Sequence, residues 1–167
     1  MNLKQVKSGK MLVLYYSYGG NTRSIARRIQ EALGCDTSEI QTVTPYTGAY
    51  EAVVEQGQRE VSEGCEPPVR PMERDPADYD TIILGTPVWW YTFAPAVKSV
   101  LSAVDWTGKT VYPFATNGGW IGHTFKDLEK ACAGGTVEQG LNLRFDEDRL
   151  CTDPADLDRW IARIKGA

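Results

Sequence analysis

Val13-Leu14-Tyr15-Tyr16-Ser17-Tyr18-Gly19-Gly20-Asn21-Thr22 is the stretch on which the reading of this chain turns. An apolar run stops at a hydroxyl, passes two glycines and restarts as an amphipathic segment. A buried strand therefore runs into a tight turn, and the turn opens a helix. The first N–H groups of a helix have no partner within it and carry the positive end of its dipole. Gly19 and Gly20, without a Cβ, let the backbone close around a guest. Ser17, Asn21 and Thr22 add side-chain donors, so Ser17 to Thr22 reads as a phosphate cradle. The plain alternative is a strand-to-helix connection with a good N-cap. The spacing is neither the G-x-G-x-x-G of dinucleotide folds nor the G-K-[S/T] ending of nucleoside triphosphate loops.

Outward from that loop, residues 1–10 read as a short N-terminal tail and 11–167 as one domain. Met11 to Tyr16 is almost unbroken apolar sequence, as in a strand buried on both faces of a parallel sheet. Ile25, Ile29 and Leu33 then form one helical stripe that Gly34 ends. Cys35 to Ile40 is a second, weaker strand. A helix is expected from Thr44-Pro45-Tyr46-Thr47, with Tyr50, Val53, Val54 and Val61 on one face, and Gly57 weakens it. A proline-rich loop from Gly64 to Ala77 leads to a strong strand, Asp80 to Gly85. The loop Thr86-Pro87-Val88-Trp89-Trp90-Tyr91 follows. Thr92 is expected to cap the next helix, with Pro95 in its first turn. Thr110 to Thr116 reads as a strand, although Pro113 speaks against a central position. The loop Asn117-Gly118-Gly119-Trp120-Ile121-Gly122 leads into a helix carrying Phe125, Leu128 and Cys132. Leu141 to Phe145 alternates like an edge strand, and Asp153-Pro154 opens a last helix. Five strands alternating with five helices predict an α/β fold, a three-layer, doubly wound five-stranded parallel sheet. Two strand orders are common for such sheets, and composition does not separate them.

The totals narrow the classes. A chain of 167 residues with 42% hydrophobic and 24% charged residues suits one globular domain with a real core. A net charge of −4 and no basic stripe speak against nucleic acid as a partner. No apolar run approaches the roughly 20 residues that span a bilayer, and Met1 to Lys10 lacks a signal-peptide core, so no membrane partner and a cytoplasmic location are expected. Cys35, Cys65, Cys132 and Cys151 are too scattered for a metal or redox pair and are expected as reduced thiols. One histidine, His123, leaves little material for a metal site or a Ser-His-Asp triad. It reads as a polar residue near a helix start. No metal ligand and no catalytic acid, base or nucleophile is assigned.

The opening stretch resembles the phosphate loop of the flavodoxin family, whose pattern is aliphatic, aliphatic or aromatic, aromatic, any, Ser/Thr, two residues, small, any, Thr. Val13 to Thr22 fit every place. Gly85-Thr86-Pro87-Val88-Trp89-Trp90 followed by Pro95, and Thr116-Asn117-Gly118-Gly119 followed by Gly122 and Phe125, extend the likeness over Met11 to Ile164. They look like a short-chain branch of that family. The resemblance implies the strand order 2-1-3-4-5, FMN as cofactor, and Ser17, Tyr18, Gly19, Gly20, Asn21 and Thr22 around its 5′-phosphate. Loops at neighbouring strand ends converge on one cleft in that order. Thr86, Pro87, Val88, Trp89, Trp90, Thr116, Asn117, Gly118, Gly119, Trp120 and Gly122 would then hold the ring, with Trp89 or Trp90 facing it.

There are two departures. The best-known carriers of the family place a glycine beside the flavin, where a peptide flips on reduction; here Pro87-Val88-Trp89 stands in that loop. Those carriers are also far more acidic, which steers them toward basic partners. The resemblance implies an electron-transfer protein serving redox partner proteins or a small-molecule acceptor. The rival is an NAD(P)H-dependent quinone or nitro-group reductase of the same fold. A third reading is a non-redox module that binds phosphate or a partner. A carrier goes with a monomer, a reductase with a dimer.

Overall fold

A computed structural model describes residues 10–167; apart from Lys10, the expected N-terminal tail lies outside the described residues. The elements follow in the order β1 (Met11–Tyr16), α1 (Asn21–Leu33), β2 (Asp36–Ile40), α2 (Tyr50–Glu63), β3 (Thr81–Trp89), β4 (Thr92–Phe93), α3 (Pro95–Leu101), β5 (Thr110–Asn117), α4 (Thr124–Ala131), β6 (Thr136–Val137), β7 (Leu141–Asp146), β8 (Arg149–Leu150) and α5 (Pro154–Lys165). The sheet runs β2-β1-β3-β5-β7 with every neighbour parallel, and β8 closes its edge antiparallel to β7. Counting the five long strands alone gives the expected order 2-1-3-4-5.

Alternation along the strands divides the core in two. Leu12, Leu14, Ile82 and Leu84 face one side and meet Val97, Leu101 and Leu128 from α3 and α4. Val13, Ile83, Phe114 and Leu143 face the other and meet Ile25 and Ile29 of α1 and Leu157, Trp160 and Ile164 of α5. Both layers put aliphatic side chains out of water, the chief stabilising term for such a sheet. The last helix starts as its sequence dictates, with the Asp153 carboxylate accepting the Ala155 N–H at 3.0 Å ahead of Pro154.

Three expectations change. Pro113 sits centrally, opposite Leu84 of β3. Its nitrogen points to the other side, as does the Val111 carbonyl that receives the Glu138 N–H. There β6 ends at Val137 and β7 begins at Leu141, so the missing donor falls in a break of the ladder and costs no bond. Thr92 does not cap α3. It belongs to β4, and the buried Thr86 hydroxyl accepts the Ala94 N–H instead, at 3.1 Å. Finally, α2 starts at Tyr50 rather than near Thr44. Thr42 bridges to Val69, and Gly48 turns with φ of 103°, so 42–49 crosses the sheet end as irregular chain.

All four cysteines are unpaired. Among the described residues, no helix is long and apolar enough to cross a membrane, and no cluster of His, Cys, Asp and Glu is placed to hold a metal ion.

Candidate functional site

Three loops meet at the carboxyl ends of β1, β3 and β5. Gly19 and Gly20 take φ of 79° and 100°, and the space where their Cβ atoms would project is open for 4 Å. Gly20 also stands at the N-cap of α1, with no side chain capping it. Ser17 Oγ accepts the Arg23 N–H at 3.1 Å, closing the loop beneath. The N–H groups of Gly19, Gly20, Asn21 and Thr22 have no acceptor among the described residues. Consecutive N–H groups turned into one concavity form an anion nest at the positive end of α1. Arg23, in the first turn of α1, is engaged by a carboxylate: its Nε binds Glu39 at 2.6 Å, and that bond holds the guanidinium above its ordinary pKa. A phosphate here would be held by backbone dipoles.

Not every polar side chain of the loop faces the nest. The buried Thr22 hydroxyl lies 2.8 Å from that of Thr116, joining the loop to the end of β5. Asn21 Nδ2 donates to the Glu147 carbonyl at 2.7 Å, holding the β7–β8 turn against the loop. These contacts fix the cradle from beneath.

The second loop is a hairpin. β3 continues to Trp89, which pairs with Thr92 across the two residues Trp90 and Tyr91, at φ of 50° and 69°. Both φ values are positive, as in type I′ hairpin turns, where asparagine and glycine are usual. Tertiary anchors hold the two aromatics there. The His123 N–H donates to the Tyr91 carbonyl at 2.8 Å, and a Cβ on Gly122, at φ of 57°, would run into the Tyr91 backbone. Trp90 Nε1 donates to the Val54 carbonyl in α2 at 2.9 Å. Asp127 accepts from the Thr92 hydroxyl at 2.6 Å and pairs with His123 Nδ1. His123 thus ties the start of α4 to the hairpin.

The third loop, after β5, is set by Asn117, whose Oδ1 accepts the Gly119 N–H at 2.9 Å in a side-chain turn. Its Nδ2 donates to Asn142 of β7 at 2.6 Å. Between hairpin and loop lies a slot of about 520 Å³, lined by Val88, Trp90, Tyr91, Asn117, Gly118, Gly119 and Trp120. No carboxylate, lysine, histidine or cysteine lines it. Trp90, Tyr91 and Trp120 are exposed at its rim, the last two edge to face with centroids 5.9 Å apart. A slot walled by indoles, a phenol and flat peptides suits a planar ring.

Of the residues expected around the ring, Val88, Trp90, Asn117, Gly118, Gly119 and Trp120 line this slot. Thr86 and Thr116 are buried beneath it. Gly122 lies under Tyr91. Trp89 turns inward, edge to face with Tyr16, Tyr18 and Tyr46, so of the two indoles Trp90 is the one at the slot. Burial pushes the Tyr16 and Tyr46 phenols above their ordinary pKa, and Glu60 adds to both. They stay neutral around the Trp89 indole. Tyr91 was missing from the expected set, although it ends the same aromatic run. Arg144 of β7 is outside the slot lining, although a Cβ on Gly119 would stand 3.7 Å from its Nε.

Free N–H donors at the end of the first strand and a flat slot between the third and fourth long strands lie where ligands are held in doubly wound sheets. A family model described as Flavodoxin matches residues 10–163. The chain belongs to the flavodoxin family. Solved structures agree. A candidate flavoprotein from Bacteroides uniformis is 30% identical, with a TM-score of 0.79, over 93% of this chain and 99% of its own. One from Bacteroides eggerthii is 27% identical, with a TM-score of 0.78, over 95% and 99%. A flavoprotein from Lactobacillus acidophilus, solved in complex with FMN, shares the fold at 20% identity, with a TM-score of 0.73 over 92% and 99%. No curated protein sequence matches the chain.

Proposed function

We propose that this protein binds FMN and transfers electrons, acting as a carrier between redox partners. The observation that carries the reading is the pairing of free backbone N–H donors, Gly19 to Thr22, with an uncharged ring slot. FMN has a phosphate at one end and a flat ring at the other, and the FMN complex of the Lactobacillus relative supports the same cofactor here. Bound FMN supplies the redox chemistry, and the chain supplies binding, orientation and electrostatics. The N–H groups of Gly19 to Thr22 hold the phosphate. Val88, Trp90, Asn117 to Gly119 and Trp120 flank the ring. Pro87–Trp89 offers it a fixed backbone edge, because Val88 and Trp89 pair with β4 and no glycine is present to let a peptide turn over. The slot lining holds no carboxylate, lysine, histidine or cysteine, and its one ionisable group is the Tyr91 phenol, which fits chemistry that belongs to the cofactor. The exposed rim of Trp90, Tyr91 and Trp120 suits approach by a partner protein or a small acceptor. We place this activity in the cytoplasm and in a monomer, in keeping with four unpaired thiols.

A direct NAD(P)H reductase is the second reading, and the breadth of the slot, about 520 Å³, favours it. Anaerobic titration of the FMN-loaded protein decides between the two. The flavin band near about 450 nm should persist with NADH and NADPH and bleach with dithionite or a protein reductase. Rapid bleaching by either nicotinamide overturns the carrier reading in favour of the reductase. If the protein takes up no FMN, both fail.

A further inference from the structure

A cavity of about 300 Å³ adjoins the nest on its β2 side, away from the ring slot. It takes in Ser17 of the nest loop and Arg23 of α1 and is completed by Glu39, Gln41, Tyr46 and Arg70 among others. Unlike the slot, it carries formal charge of both signs. We propose that this cavity receives the adenosine end of a flavin dinucleotide, so that the protein takes FAD as well as FMN. The proposal rests on the flavin reading for the ring in the slot and the first phosphate in the nest.

Glu39 gives the first support. It stands near the carboxyl end of β2, opposite Tyr15 of β1 and twenty residues after Gly19. In doubly wound folds that bind dinucleotides, a carboxylate about 20 residues beyond the glycine turn accepts a hydrogen bond from the adenosine ribose. Here the carboxylate is fixed from two sides. Oε1 accepts Arg23 Nε–H at 2.6 Å, and Oε2 accepts Gln41 Nε2–H at 3.3 Å. A carboxylate has about four acceptor sites, so these bonds orient Glu39 and leave capacity for a hydroxyl. The ion pair also cancels the Arg23 charge, so this part of the cavity suits a neutral sugar rather than an anion.

Arg70 gives the second. The bridge between Thr42 and Val69 lays residues 68–70 beside the chain leaving β2, and the Arg70 N–H donates to the Gln41 carbonyl at 2.8 Å. Arg70 is exposed, and among the described residues no carboxylate pairs with its guanidinium. It is therefore the uncompensated charge of the cavity. The N–H groups of the nest serve one phosphate; a dinucleotide brings a second, and a guanidinium fork matches phosphate oxygens in pairs. Phenols complete the wall. Tyr46 is held by its hydroxyl bond to Glu60 at 2.5 Å and lies edge to face with Trp89, centroids 4.9 Å apart. Tyr16 is buried against the same indole. Fixed aromatic faces suit a purine, and the volume, at the small end of the range for ligand pockets, matches a nucleoside rather than a second flavin.

Calorimetric titration of the cofactor-free protein with FMN, FAD, ADP and inorganic phosphate is the test. FAD should bind within about threefold of FMN or more tightly. Arg70→Ala, at an exposed position, should weaken FAD about tenfold and leave FMN within about twofold. ADP should bind at least about tenfold more tightly than inorganic phosphate, and 2′-deoxy-ADP about fivefold less tightly than ADP. In Glu39→Gln that preference for the 2′-hydroxyl should fall below about twofold. FAD binding more than about threefold weaker than FMN, or equal losses of FMN and FAD in Arg70→Ala, overturns the proposal. So does ADP that binds no better than phosphate. If FMN binds and FAD does not, the flavin reading stands and the adenosine site falls. If ADP binds with this dependence on Arg70 and Glu39 but neither flavin does, the flavin reading fails and the adenosine site stands.

Discussion

The loop after β1 and the hairpin after β3 stand side by side at one end of the sheet, built on opposite terms. Ser17 to Thr22 is backbone surface: two glycines at positive φ, open space in front of them, and N–H groups left without acceptors. Thr86 to Phe93 is side-chain surface. Its turn residues are also at positive φ, but they are Trp90 and Tyr91, and their backbone is tied down by Gly122 and His123. The first region offers directed donors and so suits a compact anion. The second offers flat area and so suits a ring. A substitution should therefore harm each by a different route and show up against different parts of the same cofactor.

The largest expected effect is in the nest. Gly20→Val places a branched side chain at φ of 100°, with strain of at least about 1–2 kcal/mol, and pushes carbon into the concavity. Loss of the phosphate's hydrogen bonds should lower FMN affinity by about 3 kcal/mol, roughly a hundredfold, read by quenching of flavin fluorescence. Riboflavin, which lacks the phosphate, should lose less than about threefold. An equal loss for both flavins would break the division of labour between the two regions.

Gly122→Ala tests the hairpin in the converse way. The added methyl meets the Tyr91 backbone, and φ of 57° adds strain, so unfolding stability should fall by about 2 kcal/mol. For a chain of this size that is a drop in Tm of roughly 4–8 °C. FMN and riboflavin should weaken together, because the ring wall has moved while the nest is intact. A selective loss of FMN would refute this.

The Thr22–Thr116 hydroxyl pair links the nest to the ring side and gives a smaller effect. Thr22→Val leaves the buried Thr116 hydroxyl short of its partner, at about 1–2 kcal/mol. Thr116→Val should behave alike. The double variant should recover about 1 kcal/mol relative to the sum, measured by urea unfolding. Strict additivity would mean that the two loops are not coupled through this contact.

Much of this end of the molecule is legible in the chain, because its cues are local. Met11–Tyr16 is apolar without interruption, and two adjacent glycines before an amphipathic helix specify a turn that opens toward an anion. The hairpin is not legible, because local rules oppose it. Trp-Tyr is a poor type I′ turn by its own preferences, and contacts from residues distant in the chain, Val54 before it and Gly122 and His123 after it, hold it. The same distance problem hid the central place of Pro113, since the break between β6 and β7 that tolerates it is a property of the neighbouring strand. It also hid the inward turn of Trp89, which depends on Tyr46 arriving from the far side of β2. Thr86 is buried, and its hydroxyl accepts the Ala94 N–H because the hairpin brings Ala94 back to it.

The smallest effect separates donors from surface most cleanly. Trp90→Phe removes one N–H, the bond to the Val54 carbonyl, and keeps an aromatic face at the slot. That carbonyl belongs to α2, and at this partly wet position water can replace the indole donor. The loss in stability should therefore stay near about 0.5–1 kcal/mol in urea unfolding. If the hairpin works by area, riboflavin and FMN affinities should both remain within about twofold, since a phenyl ring still flanks the slot. A tenfold loss of ring binding would mean that the fixed orientation of the indole, rather than its area, makes the wall. The hairpin would then depend on a directed hydrogen bond as much as the nest does, and the contrast between the two regions would narrow to which partner receives the bond.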